Sequence, residues 1–210
     1  MLGAKIADDG QWRFTESDSI PLKFEACIIN FEDKNFYSHI GISAKGIGRA
    51  LNQNFKNKKV VSGGSTITMQ LARIMRKNPP RTYVEKIYEM IIATRLELHY
   101  SKKEILSLYA SHAPFGNNVV GLEAASWRFF GRASHRLSWS ESATLAVLPN
   151  APGLIYPGKN HISLRNKRNR LLKKLLLRKI ISPSDFQLAV SEPLPNKPLP
   201  LPQLAPHLLE

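Results

Sequence analysis

Three short segments of this chain carry side chains that transfer protons or bind anions. The first contains the adjacent carboxylates Glu32 and Asp33. The second is a Gly-Gly-Ser-Thr turn at residues 63–66, and the third places Lys86 three residues before Glu89. Carboxylates, hydroxyl groups and cations together suit a reaction at the anomeric carbon of a sugar whose leaving group is an anion. Each segment also has a plainer interpretation, which depends on the element that carries it.

Glu32 follows an apolar run and has Phe36 and His39 within about two helical turns. A carboxyl group at the edge of an apolar element loses part of its hydration, which favours its use as a general base. The alternative is a carboxylate pair that satisfies backbone amides at the end of a helix. We interpret His39 as a core residue or as a hydrogen-bond donor near Glu32, because the histidines of the chain show no metal-ligand spacing.

A capping box at residues 82–85 predicts a helix that carries Lys86 and Glu89 on one face. We expect Ile87 and Ile91 to point toward the core, so that Lys86 and Glu89 lie on a stripe outside it. On the functional interpretation the cation holds a phosphate, and the carboxylate orders either that cation or a bound metal ion. An ordinary surface ion pair is the alternative.

The turn at residues 63–66 precedes a helical pattern that ends near Arg76. Glycines permit a close approach of the backbone, and the N-terminus of a helix favours anions. Ser65 and Thr66 are therefore predicted to donate to phosphate or sugar oxygens, with Gln70 and Arg73 following on the same side. The segment is not a P-loop, because the Gly-Lys-Ser/Thr ending is missing. A simple helix cap is the alternative.

The charge of the chain indicates an anionic partner. Thirty Lys and Arg residues against sixteen Asp and Glu give a net charge of +14. Nucleic acid, a phosphorylated ligand and an acidic membrane surface all remain compatible with that charge. Residues 159–179 contain nine Lys or Arg and no acid, and this basic helix either lies on an anionic surface or packs with a solvated basic face. No aromatic residue lies between Tyr156 and Phe186, which argues against nucleic acid.

The elements that must position these residues are predicted to be mostly helical. Capping boxes at residues 82–85, 101–104 and 138–141 mark helix starts, and convincing alternating strands are scarce. The single Cys27 excludes an internal disulfide and is expected to be buried. We expect a domain over residues 1–190 and a proline-rich linker over 191–210. Neither a signal peptide nor a run of about 18 apolar residues is present. If the native protein is exported or anchored, we expect that this chain has lost the segment responsible.

Taken together, the segments resemble the glycosyltransferase family 51 domain, which is the peptidoglycan polymerase of class A penicillin-binding proteins. Four motifs occur in the order of that family: Glu32-Asp33-x-x-Phe36-x-x-His39-x-Gly41, Gly63 to Leu71, Lys86-x-x-Glu89, and Lys102 to Tyr109. The resemblance covers about residues 5–190. Met69 and the stretch at residues 113–116 are similar to the 1C class within that family.

This resemblance implies a lysozyme-like, two-lobed, mostly α domain with a small membrane-associated jaw near residues 43–61. The implied substrate is lipid II, a disaccharide-pentapeptide on a polyprenyl diphosphate, and the implied partners are the growing glycan strand and an anionic membrane surface, with no nucleic acid. The implied location is the outer, periplasmic face of the bacterial cytoplasmic membrane. A C-terminal transpeptidase domain is expected beyond the linker in the full-length protein.

The resemblance also implies roles for the candidate residues. Glu32 is the general base, and Glu89 is the second catalytic carboxylate. The substrate-binding residues are Asp33, His39, Ser65, Thr66, Gln70, Arg73 and Lys86. No cofactor is firmly implied; a divalent cation, Mg²⁺ or Mn²⁺, beside Glu89 is left open.

Three departures from the family pattern keep an alternative open. Glu85 stands where the third motif usually has Arg, and Ala110 and Ser111 replace a usual Leu-Asn pair. These changes are compatible with a catalytically weak domain that binds lipid-linked precursor or glycan. A lytic enzyme of the same fold that cleaves glycan is a further alternative.

Overall fold

The structure is a computed structural model that describes residues 10–14, 19–43, 64–80 and 82–200 of the 210-residue chain. The chain divides into two compact units: a central unit, Glu32–Tyr109, and a flanking unit formed by Met1–Phe31 and Ala110–Glu210. The described residues are mostly helical, as expected. Their helices and strands are α1 Leu22–Glu32, α2 Ile67–Met75, α3 Tyr83–His99, α4 Lys102–His112, β1 Pro114–Gly116, β2 Val119–Val120, α5 Leu122–Phe130, α6 Trp139–Ala146, α7 His161–Leu177 and α8 Pro183–Ser191, with single 3₁₀ turns at Phe36–Ser38 and Ser134–Arg136.

The helices begin where local hydrogen bonds satisfy their first amides. At the start of α4, Ser101 N donates to the Glu104 carboxylate at 2.7 Å, and Glu104 N donates to the Ser101 hydroxyl at 3.3 Å. Hydrogen bonds from the Ser101 side chain and backbone lower the pKa of Glu104. Ser138 and Glu141 form the same reciprocal pair at α6. Thr82 accepts a backbone N–H from the first turn of α3 at 3.1 Å, so all three predicted starts are confirmed.

The core of the central unit is formed by α2, α3, α4 and the segment that follows Glu32. Its buried apolar side chains are Phe36, Ile67, Met69, Leu71, Ala72, Ala93, Leu96, Ile105 and Leu106. Gly41 lies against α3 with a φ of 75°, and a Cβ at this position would lie 2.7 Å from the carbonyl carbon and oxygen of Ala93. Only glycine tolerates both that backbone conformation and that approach.

The flanking unit packs its last three helices, α6, α7 and α8, against one another. Arg168 of α7 is 1% exposed, and it donates to the Ser140 hydroxyl at 2.9 Å and to the Glu192 carbonyl at 2.7 Å. Strands β1 and β2 pair antiparallel. Cys27 of α1 is buried, as expected, and burial raises the pKa of its thiol.

The basic segment at residues 159–179 forms α7. The apolar stripe of α7 is buried, through Leu164, Leu171, Leu172 and Leu175. The charged side chains of Arg165, Arg170 and Lys173 are exposed. The stripe is therefore used for packing, which confirms the interpretation of a packed helix with a solvated basic face.

The prediction for the two faces of α3 was wrong. Ile87 and Ile91, expected in the core, are 58% and 50% exposed, whereas Glu89, expected outside it, is 1% exposed. Helix α3 packs on α2, and its inward stripe runs through residues 86, 89, 93 and 96. Cations on α2 and α3 neutralise Glu89, which makes its burial tolerable.

Part of the expected architecture lies outside the described residues. The proposed jaw at residues 43–61 falls there except for Ser43, so the jaw and the lysozyme-like arrangement of lobes stay predictions. Of the proposed linker at 191–210, the described residues 192–200 form no helix or strand. Within the part of the chain that is described, no helix combines the length and the apolar character needed to span a membrane.

Candidate active site

All nine candidate residues lie in the central unit. Glu32 is the last residue of α1, and Asp33 and His39 follow it. Ser65 and Thr66 precede α2, which carries Gln70 and Arg73, while Lys86 and Glu89 lie on α3.

The half-buried Glu32 is held by a side chain of α2. The Gln70 Nε2 amide donates to Glu32 Oε2 at 2.7 Å, and the Tyr109 hydroxyl donates to Gln70 Oε1 at 3.1 Å. Tyr109 of α4 is fully buried, and its pKa is raised well above the ordinary value, first by burial and then by the charge of Glu32. Tyr109 is not among the nine candidate residues, although it ends the fourth motif.

Asp33 and His39 fasten the segment after α1 to the start of α2. His39 Nε2 lies 2.8 Å from Asp33 Oδ2, and the same carboxylate oxygen accepts from the Ile67 N–H at 3.2 Å. A carboxylate at this position also complements the N-terminal end of the helix dipole. His39 Nδ1 is buried and has no hydrogen-bond partner among the described residues. The geometry gives both side chains a positioning role, and contact with substrate stays a prediction for them.

Thr66 is the N-cap of α2. Its hydroxyl accepts from Met69 N at 3.1 Å and donates to the Gly41 carbonyl at 2.6 Å, and the residue is 1% exposed. With these bonds Thr66 joins the turn before α2 to the segment that carries His39. Direct donation to substrate by Thr66 stays a prediction, since its one proton is already used here.

Glu89 is buried between two cations. Arg73 Nε donates to Glu89 Oε1 at 2.5 Å, and Lys86 Nζ donates to Glu89 Oε2 at 2.9 Å. Lys86 also donates to the Ser65 hydroxyl at 2.5 Å. The Lys86 side chain is 34% exposed and that of Arg73 is 17% exposed. Two cations and one carboxylate leave a net positive charge, and Lys86 carries part of it to Ser65, just before the N-terminus of α2. This arrangement is suited to an anion.

A divalent cation does not fit this cluster. Both oxygens of Glu89 accept from cationic groups, and no set of three His, Cys, Asp or Glu residues in the described segments could hold a metal ion. Mg²⁺ and Mn²⁺ bind through carboxylate, carbonyl and water oxygens. A metal ion beside Glu89 would instead face two positive side chains.

Helix α2 brings the two carboxylates to one face. Gln70 binds Glu32 and Arg73 binds Glu89, and these two residues are three apart on α2. Positions three apart in a helix lie side by side, with a rise of about 4.5 Å between them. Glu32 and Glu89 are therefore connected through neighbouring side chains of a single helix.

A second hydrogen-bond network joins α2, α3 and α4 to the segment that carries His39. Glu97 accepts from the Thr68 hydroxyl and from Lys102 Nζ, both at 2.7 Å. Lys102 Nζ also donates to the His39 carbonyl at 2.7 Å and lies 4.6 Å from the centre of the Phe36 ring. Lys102 begins the fourth motif, and this match to the family was the sequence signal that pointed to Lys102 as a residue of the site. Nothing in the local sequence pointed to Glu97.

Comparison with known proteins gives concordant matches. The family model described as Transglycosylase matches residues 3–176. The chain is 40% identical over 205 residues to penicillin-binding protein 1C of Escherichia coli, a match that covers 96% of this chain and 26% of that protein. It is 37% identical over 188 residues to penicillin-binding protein 1A of Aquifex aeolicus, with coverage of 89% and 26%. The chain thus spans about a quarter of the length of these two relatives.

Two further matches are a relative that this chain covers over most of its length and a solved structure. A putative transglycosylase of Cupriavidus necator is 34% identical over 175 residues, which is 83% of this chain and 75% of that protein. Among solved structures, penicillin-binding protein 1A from Haemophilus influenzae aligns with a TM-score of 0.42 and 24% identity over 61% of this chain and 16% of that chain.

Proposed function

The chain belongs to the transglycosylase family, the peptidoglycan glycosyltransferases, and from that premise we propose that it polymerises lipid II into glycan strands. The reaction joins the 4-hydroxyl of an acceptor GlcNAc to C1 of a donor MurNAc, with inversion at C1 and release of polyprenyl diphosphate. One observation carries the proposal: Glu32 and Glu89 are bound by neighbouring side chains of α2, next to two cations.

Glu32 acts as the general base. It takes the proton from the acceptor 4-hydroxyl while that oxygen forms a bond to C1 of the donor. The bond between C1 and the diphosphate oxygen breaks at the same time, and the leaving group keeps the electron pair. Attack from the side opposite the leaving group inverts the anomeric centre, as in inverting glycosidases, with a sugar hydroxyl in place of water.

The diphosphate needs charge stabilisation more than a proton, because it is already a good leaving group. Lys86 and Arg73 supply that stabilisation, and a positioned cation acts most strongly where water is excluded. Glu89 holds both cations in place, and the Ser65 hydroxyl fixes the Lys86 ammonium from the other side. No step of this mechanism passes through a metal ion.

The first experiment replaces Glu32 with Gln, which keeps the shape of the side chain and removes the base. Polymerisation of labelled lipid II should fall by roughly 10²–10⁴-fold, the range typical for loss of a general base. Glu25→Gln, the same exchange two turns earlier on α1, is the matched control and should leave the rate unchanged. A Glu32→Gln variant that still makes glycan at the wild-type rate would reject the proposal.

A catalytically weak domain that binds lipid-linked precursor is the second candidate. Glu85 motivates it, because its carboxylate binds Arg76 at 2.9–3.2 Å and offsets a positive charge one turn of α3 before Glu89. Binding of a phosphoglycolipid inhibitor without any product from lipid II would favour this candidate. Release of fragments from preformed murein would favour a lytic enzyme instead.

The setting of the reaction is also part of the proposal. We place the domain at the periplasmic face of the cytoplasmic membrane, where it binds lipid II, the growing strand and anionic lipid. The relatives named penicillin-binding protein are about four times as long as the matched region, which supports a C-terminal transpeptidase domain in the full-length protein.

A further inference from the structure

We propose that Tyr109 is a positioning residue for the glycosyl transfer, and that it acts by fixing the orientation of the Gln70 amide that holds Glu32. The inference rests on the proposed function, in which Glu32 is the base. It adds to that function a hydrogen-bond chain, running from Tyr109 through Gln70 to Glu32, that determines where the base points.

The two hydrogen bonds that join these three residues allow only one direction of donation. An ionised carboxylate accepts hydrogen bonds and has none to donate, so the Gln70 group 2.7 Å from Glu32 has to be the NH₂ end of the amide. The carbonyl end then faces Tyr109, 3.1 Å away, and requires a donor there. The phenolic hydroxyl supplies that donor.

Tyr109 keeps its proton, and so remains a donor, at neutral pH. Its side chain is fully buried, and burial, followed by the negative charge of Glu32, raises its pKa well above the ordinary value. The hydroxyl therefore keeps its proton while Glu32 is ionised. Because Tyr109 is 0% exposed, it influences the reaction through Gln70 and not by touching substrate.

Removing the hydroxyl frees the amide to turn. A Gln side chain has two nearly isosteric ends, and only its NH₂ end is attractive to a carboxylate. With no donor from Tyr109, the amide oxygen loses its partner and the amide loses the restraint that keeps N–H directed at Glu32. A base that is misplaced by a fraction of an ångström lowers the rate of the chemical step more than it lowers substrate affinity.

The test compares four forms of the full chain on lipid II: wild type, Tyr109→Phe, Gln70→Met and the double variant. Tyr109→Phe should lower kcat roughly ten- to hundredfold with KM unchanged. The double variant should be no slower than Gln70→Met alone, because Tyr109 works only through Gln70. Tyr100→Phe removes the same group from an exposed tyrosine of the central unit and should leave both constants unchanged.

Two outcomes would overturn the inference. One is a Tyr109→Phe variant with wild-type kcat; the other is a double variant whose loss is the product of the two single losses, which indicates independent roles. If Glu32→Gln is inactive while Tyr109→Phe has wild-type activity, this inference fails and the proposed function stands. If Glu32→Gln has wild-type activity, the proposed function itself is rejected.

A second measurement keeps the proposal testable if Tyr109→Phe does not fold. In the unsubstituted chain, NMR signals of the Gln70 side-chain amide, assigned by their loss in Gln70→Met, should show slow exchange with solvent and downfield shifts. Both are expected for an N–H held by a carboxylate. Rapid exchange and the shifts of a free amide would contradict the hydrogen-bond chain.

Discussion

Glu89 illustrates how a single buried carboxylate organises this site. It is 1% exposed, and both of its oxygens accept from cations. Burial of a charge is tolerated only when partners compensate for the lost hydration. The Glu89 carboxylate binds both Arg73 and Lys86, and its negative charge offsets the repulsion between these two cations.

We expect Glu89→Gln to reduce the free energy of unfolding by about 1.5–3 kcal/mol, because the two cations lose their charged acceptor. Glu85→Gln is the matched control on the same helix. Its ion pair with Arg76 is more exposed, so the loss there should stay below about 1 kcal/mol. Urea denaturation measures both. Equal losses for the two variants would show that the burial of Glu89 has no energetic consequence.

Helix α2 and the segment before it form the frame of the site. Thr66 joins the N-terminus of α2 to the Gly41 carbonyl, and Gly41 in turn lies against Ala93 of α3. The close approach of the Gly41 backbone to Ala93 thus helps to fix the site residues of α2 relative to those of α3. Gly131, which ends α5 in a left-handed conformation at φ 67°, shows the simpler use of glycine at a helix end.

Gly41→Ala should therefore lower both the stability and the polymerisation rate. A Cβ would lie 2.7 Å from backbone atoms of Ala93, so α3 or the Gly41 segment has to move. Gly10 is the control, since it has a φ of 74° and no atom within 4 Å of an added Cβ. Gly10→Ala should cost only the left-handed penalty of about 1–2 kcal/mol and should keep full activity. Thermal unfolding and the lipid II assay check both variants, and a Gly41→Ala variant as stable and active as Gly10→Ala would contradict this argument.

The whole chain carries a net charge of +14, and exposed cations of α7 contribute to it. A charge of this size favours contact with anionic surfaces, and simple salt weakens it because the screening length falls from about 10 Å at 0.1 M to 3 Å at 1 M. The proposed substrate and its membrane are both anionic, so the charge suits the proposed function.

We expect the chain to bind vesicles that contain phosphatidylglycerol at low salt and to leave them at 1 M salt, since each cation near an anionic surface contributes about 1 kcal/mol. Phosphatidylcholine vesicles are the control for contact that does not depend on charge. Co-sedimentation measures the bound fraction. Equal binding to both kinds of vesicle, or binding that salt does not change, would refute an electrostatic origin.

Much of the fold and the site was predictable because the signals are local. The capping boxes at Ser101 and Ser138 need only the residues of one helical turn, and they predicted the starts of α4 and α6 correctly. The motif spacing likewise singled out Glu32, Gln70, Arg73, Lys86 and Glu89 as candidates, and the fold brings these residues of α1, α2 and α3 into hydrogen-bond contact. The division into a domain and a linker stays a prediction.

Long-range contacts decided the rest. The apolar residues of α3 predicted the wrong buried face, because periodicity reveals a stripe but does not reveal which stripe a neighbouring helix will cover. Glu89 becomes a buried residue only when Arg73, sixteen positions away, supplies a compensating charge. Tyr109 acquires its role only by meeting Gln70 from 39 positions away. The order of residues therefore set the helices and the candidate chemistry. Contacts of α2 with α3 and α4 decided which charges are buried and which side chain holds Glu32, because burial and pairing free energies exist only once distant segments meet.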